Sequence, residues 1–104
     1  MTETEINKTI ADNLKKLRTN TFRLVKAKKG LHRKPISQTQ VGKYMNCTFQ
    51  QIQKYEKGKN QLSASKIYKL SEFFNIPVSS WFTPIEDFYK EIRDENSTDM
   101  VLDN

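Results

Sequence analysis

The chain has one cysteine, one histidine, three glycines and three prolines. A lone Cys47 rules out an internal disulfide and suits a reducing compartment. With His32 as its sole histidine, no metal site built from several Cys and His can be assembled. The shortage of glycine and proline, and the absence of segments alternating apolar and polar residues, argues against sheets. Apolar residues recur instead at spacings of three and four, so an all-helical domain is expected. The first thirty residues hold no apolar run suited to a secretory leader or a membrane span, so a soluble cytoplasmic protein is expected. A glycine-rich phosphate loop, paired catalytic carboxylates and a nucleophile with its base are all missing, which argues against an enzyme and against any cofactor or metal.

Acids are scarce too, but only in part of the chain. The 104 residues carry 18 Lys and Arg against 12 Asp and Glu, a net +6. Residues 1–82 hold 16 bases and 5 acids (+11), whereas residues 83–104 hold 2 bases and 7 acids (−5). A basic domain over 1–82 with an acidic extension over 83–104 is therefore expected, and a basic body attracts polyanions, nucleic acid above all. An anionic membrane surface fits less well, since the apolar side of the first helix is needed for the core.

Local signals divide the body into helices. Thr2 with Glu5 forms a capping box for a first helix whose face runs Ile6, Ile10, Leu14, Leu17, Thr21, Leu24 and Val25, closed by Gly30. His32-Arg33-Lys34-Pro35 reads as a basic loop. Ser37 with Gln40 opens a second helix through Val41, Tyr44 and Met45, Asn46 supplies the left-handed residue of a tight turn, and Thr48 with Gln51 opens a third helix ending at Gly58. A fourth helix from about Ser63 places Ala64, Ile67, Leu70 and Phe74 on one side and stops at Asn75. Beyond Pro77 a short turn is expected to bury Val78, Trp81 and Phe82. Thr83, Pro84 and Glu86 then start a short helix over about 84–93 with Ile85, Phe88, Tyr89 and Ile92 on one face, followed by a frayed tail.

On the third helix, counting about 100° per residue from Phe49, Ile52 and Tyr55 mark the buried direction. Gln50, Gln53, Lys54 and Lys57 gather opposite, a face of amides and amines without an acid. A glutamine amide matches the paired acceptor and donor of an adenine edge in the major groove, and lysine matches the two acceptors of guanine. Gln50 and Lys54 are the leading base readers. Phe49 lies at the margin, placed either against a thymine methyl or in the core. Gln38, Thr48 and Gln51 stand at helix starts, where free amide hydrogens favour phosphate. Lys57, Lys59 and Asn60 are placed to clamp the backbone, with Gln53 beside them as a bracing or backbone contact.

The segment Ile36 to Phe82, ISQTQVGKYMNCTFQQIQKYEKGKNQLSASKIYKLSEFFNIPVSSWF, resembles the helix-turn-helix domain of the Cro and phage-repressor (XRE) family. The elements that carry the likeness are Ser37-Gln38, Val41-Gly42, Thr48, Ile52 and Glu56-Lys57-Gly58, and with the end of the first helix it covers roughly sixty of the 104 residues. The resemblance implies a compact five-helix, lambda-repressor-like, all-α fold with the helix-turn-helix at about 37–57. It implies that Gln38 touches phosphate and braces the third helix, that Phe49, Gln50 and Lys54 lie against bases, and that Lys57 and Asn60 lie near backbone or base. Three departures stand out: Gly42 where the family generally has alanine, Asn46 where it usually has glycine, and an extra stretch, Leu31 to Pro35, in the first loop.

The expected function is sequence-specific binding of double-stranded DNA as a transcriptional regulator, a repressor acting as a homodimer on a partly palindromic operator. Ile85, Phe88, Tyr89 and Ile92 are the dimerisation candidates, with Tyr68, Phe73 or Trp81 contributing; the alternative is that the last helix folds back over its own domain. An antitoxin-type module that also binds DNA, its acidic tail covering a protein partner, is the rival from another class. RNA binding is weaker because the face lacks aromatic platforms. His32 reads as a surface residue, Cys47 as a half-buried apolar group and Trp81 as a core anchor.

Overall fold

A computed structural model of the chain describes residues 1–27, 30–85 and 101–102. Its elements are α1 (Glu3–Asn20), β1 (Phe22–Ala27), β2 (Gly30–Pro35), α2 (Gln38–Met45), α3 (Phe49–Glu56), α4 (Ala64–Phe74), a 3-10 turn (Val78–Phe82) and β3 (Val101–Leu102). The mostly helical domain with a helix-turn-helix is present, built on four α-helices among the described residues. It is not purely helical, and the first segment departs most from expectation.

α1 starts as its sequence dictates. The Thr2 hydroxyl accepts from the Glu5 amide at 3.1 Å and the Glu5 carboxylate accepts from the Thr2 amide at 3.1 Å. That amide bond, with the Thr2 hydroxyl, holds the Glu5 carboxyl below the usual carboxylate range. The helix does not reach Gly30. It stops at Asn20, Thr21 is extended (φ −106°, ψ 127°), and the chain turns into an antiparallel ribbon with Phe22 opposite Pro35 and Ala27 opposite Gly30. β-Branched and aromatic residues (Thr21, Phe22, Val25) favour extended backbone. Gly30, at φ +100°, serves the closing end of the ribbon rather than a helix cap. The expected loop over 31–35 is thus the second strand, all six of its residues exposed. β3 adds in parallel on the other edge of β1, Val101 opposite Phe22.

Ile10, Leu14, Leu17, Ile36, Val41, Ile52, Tyr55, Ile67, Leu70, Phe74 and Trp81 form one buried cluster. Trp81 is its largest fully buried side chain. Its indole N–H donates to the Ser71 hydroxyl at 2.7 Å, which donates to the Ile67 carbonyl at 2.8 Å, so its polar edge is satisfied. Val78 and Phe82, expected inside, are 39% and 40% exposed, because the 3-10 turn sends Ser80 and Trp81 inward. Ala64 is likewise exposed at the first turn of α4.

Asn13, buried on α1, ties the end of the domain down. Its amide donates to the carbonyls of Trp81 and Thr83 at 2.8 Å each, and its oxygen accepts from the Ile85 amide at 2.8 Å. Three charge-neutral bonds thus converge on one buried side chain. Ile85 consequently lies in the core, 2% exposed. The rest of the helix expected over 84–93, and the acidic tail, fall outside the described residues apart from β3. No helix among the described residues is long and apolar enough to cross a membrane.

Candidate nucleic-acid interface

The pair α2–α3 is assembled from local signals. Ser37 caps α2 through a reciprocal box, its hydroxyl accepting from the Gln40 amide at 3.1 Å while the Gln40 side chain accepts from the Ser37 amide at 2.8 Å. Asn46 closes α2 in the left-handed conformation (φ 57°, ψ 45°), and the Cys47 amide donates back to the Gly42 carbonyl at 2.8 Å. Thr48 then caps α3, accepting from the Gln51 amide at 3.2 Å.

Gly42 lies where the turn folds back on the helix. A Cβ there would stand 2.7 Å from the Cys47 carbonyl oxygen and 3.3 Å from the Thr48 carbonyl. The glycine is thus required by close approach, and the alanine general at this place in the resembled family would force the turn outward.

The inner side of α3 is anchored twice. Ile52 and Tyr55 are buried, and the Tyr55 hydroxyl accepts from Lys66 Nζ at 2.7 Å, a bond that raises the lysine pKa. Glu56, also buried, receives Arg18 Nε at 2.5 Å and Nη2 at 3.0 Å in a forked pair, and Gln38 Nε2 at 3.1 Å. Arg18 donates a further bond to the Ile36 carbonyl at 3.1 Å. One carboxylate thereby joins α1, the start of α2 and the end of α3. Gln38 is thereby hydrogen-bonded to the last turn of α3.

The outer side is exposed among the described residues. Phe49 is 45% exposed, which removes it from the core, and Gln50, Gln53, Lys54 and Lys57 are exposed with it. Thr48, Lys59 and Asn60 are exposed at the two ends of α3, while Gln51 and Gln38 are half-buried. Between α1, the start of α2 and α3 lies a cleft of about 380 Å³, its rim carrying Lys15, Arg18, Lys57, Gln38 and Gln53 around Glu56. Because Glu56 is already paired with Arg18, the cleft presents a net positive charge. From Asn13 to Tyr55 the sequence contains no acid, so the stretch that supplies most of the rim carries positive charge alone.

Lys15 and Arg18 were missed by the sequence reasoning. The available signal was Glu56, which falls toward the buried side of α3 and so demanded a cationic partner. Of the dimerisation candidates, Ile85 and Trp81 are consumed by the core; Phe88, Tyr89 and Ile92 lie outside the described residues. Tyr68 is 57% exposed, and Phe73 is half-buried against Tyr44, ring centroids 4.7 Å apart. Cys47 is half-buried, and desolvation pushes its thiol pKa up against the pull of Lys66.

Two short capped helices joined by a tight turn, with the second seated on a domain core and exposed on its outer side, define a helix-turn-helix domain. Residues 33–81 match the family model described as Helix-turn-helix. Over this segment the chain is similar to proteins described as HTH-type transcriptional regulators. It is similar to an uncharacterized HTH-type transcriptional regulator from Sinorhizobium medicae (strain WSM419), 49% identical over 47 residues, covering 45% of this chain and 34% of that one. An uncharacterized HTH-type regulator from Sinorhizobium fredii (strain NBRC 101917 / NGR234) is 40% identical over 60 residues, covering 58% of this chain and 40% of the relative. A third, the uncharacterized transcriptional regulator in the ATPase CF(0) region of Rhodospirillum rubrum, is 35% identical over 51 residues, covering 49% and 47%. The matched region spans between about a third and a half of the length of these curated relatives.

Proposed function

We propose that the domain binds double-stranded DNA and regulates transcription, with α3 entering the major groove. The observation that carries this reading is the division of α3. Its outer side offers amides and amines without an acid, while its inner side is fixed by Ile52, Tyr55 and the Arg18–Glu56 pair. Base readout needs such a combination, because a side chain must hold its position to discriminate one edge from another. Gln50 and Lys54 read bases, and Phe49, exposed at the helix start, meets a thymine methyl. Gln38, Thr48 and Gln51 face phosphates from the helix starts, Gln53, Lys57, Lys59 and Asn60 follow the backbone, and the positive cleft receives a phosphate. The active species is a homodimer placing two α3 helices in successive major grooves about 34 Å apart on a partly palindromic operator, and repression follows by blocking polymerase. Its contact uses surfaces other than the buried Ile85 and Trp81.

Selection of bound fragments from random duplex DNA should return one preferred sequence. On that sequence, Gln50→Ala or Lys54→Ala should relax discrimination at particular base pairs, costing about 1–3 kcal/mol there. Lys57→Ala or Lys59→Ala should weaken all sequences alike. Equal losses on every sequence from Gln50→Ala would sink its role as a base reader.

A further inference from the structure

The ribbon between α1 and α2 spans Phe22–Pro35, whereas the match to the helix-turn-helix family begins at residue 33, so the ribbon's first strand lies outside the matched domain. All six positions of β2 are exposed. Successive residues of a strand face opposite ways, so both faces of β2 meet solvent. β2 itself therefore adds no side chain to the core.

Its chemistry is equally one-sided. The ribbon and its flanks lie within the acid-free stretch from Asn13 to Tyr55. In the register Arg23 stands opposite Lys34, and like charges at directly opposed positions weaken a pair of strands. Lys34 and His32 are exposed, while the Arg33 guanidinium lies 4.9 Å over the Phe22 ring. Exposed bases with no acid among them favour a polyanion.

The ribbon also leaves the domain at the right place. Its base is closed by the bond from the Ile36 amide to the Thr21 carbonyl at 3.1 Å, and the next residue, Ser37, caps α2 at the rim of the positive cleft. Six residues per strand give a reach of about 20 Å, or about six base pairs at 3.4 Å each.

We propose that the ribbon is a second DNA-binding element, an arm that lies on backbone phosphates flanking the base pairs covered by α3. The inference rests on the reading of α3 as a DNA-binding helix. It assigns to the arm affinity and salt dependence, and to α3 the choice of sequence.

The test replaces residues 23–34 of the full chain by Asn-Gly, a two-residue turn suited to joining the paired Phe22 and Pro35. Binding is measured against salt on the selected sequence, once with about ten base pairs of flanking duplex and once trimmed to the site. On the long duplex the shortened chain should bind about tenfold more weakly at 0.1 M salt, with a log–log slope shallower by about 2. On the trimmed duplex the two chains should bind alike, and the preference for the selected sequence should be unchanged. Lys34→Gln, which leaves the backbone intact, should reduce the slope by about 0.9 and guards against a folding defect in the shortened chain. Equal affinity and slope of wild type, shortened chain and Lys34→Gln on the long duplex would overturn the arm. A wild-type chain that shows no preference for any duplex would overturn the reading of α3 itself, and the arm with it.

Discussion

The outer side of the α2–α3 pair and the ribbon are both basic, yet they are held in opposite ways. In α2–α3 the helix starts are capped by side chains, the turn has no room for one added carbon at Gly42, and a buried carboxylate locks the last turn to α1. β2 has no buried side chain and is held by backbone pairing to β1. The same kind of charge therefore sits on a rigid platform in one region and on a solvent-exposed strand in the other. A platform suits recognition of base edges, while contact with phosphates tolerates looser placement.

The sharpest way to break this contrast is to remove the lock. Glu56→Ala leaves the Arg18 guanidinium, whose side chain is 14% exposed, without its carboxylate. Removing one partner of a buried pair costs about 3–5 kcal/mol. The loss should appear in urea unfolding as a lower midpoint at unchanged slope. Pairing Glu56→Leu with Arg18→Met should recover most of it, since no charge is then stranded. A loss below about 1 kcal/mol for the single variant would mean that the pair behaves like a surface ion pair and that α3 is seated by Ile52 and Tyr55 alone.

A smaller effect is expected at the turn. Gly42→Ala gains up to about 1 kcal/mol of helix propensity but sets a methyl 2.7 Å from the Cys47 carbonyl oxygen, a backbone atom that cannot swing aside. Overpacking of this kind costs about 1–3 kcal/mol, so a net destabilisation of about 1 kcal/mol is expected by thermal or urea unfolding. A more stable variant would show that the turn relaxes freely.

What the sequence revealed divides along the same line. The boxes at Thr2 and Ser37, the Thr48 cap and the left-handed Asn46 depend on residues within a few positions of each other, and each was readable one turn at a time. The exposed side of α3 followed from its period, which puts Gln50, Lys54 and Lys57 opposite Ile52. The Arg18–Glu56 pair and the three bonds of Asn13 join residues far apart in the chain, and no local pattern announces them. The ribbon was misread for another reason. Leu24 and Val25 continue the spacing of Leu14 and Leu17, and so short an apolar stretch fits a helix as well as a strand. Pairing with residues 30–35 decided the matter.

The smallest expected effect lies in the ribbon, and it separates stability from binding. Lys34 is exposed and stands opposite Arg23 in the register, so Lys34→Glu removes a like-charge opposition and creates an opposite-charge one. Exposed cross-strand pairs are worth only a few tenths of a kcal/mol, and salt screens them further. Unfolding free energy should therefore stay within about 0.5 kcal/mol of wild type, with any change toward greater stability at low salt. Loss of more than about 1 kcal/mol would mean that Lys34 supports the fold through contacts of its own. The contrast between a locked platform and a loosely held ribbon would then collapse, because one substitution would weaken fold and surface together.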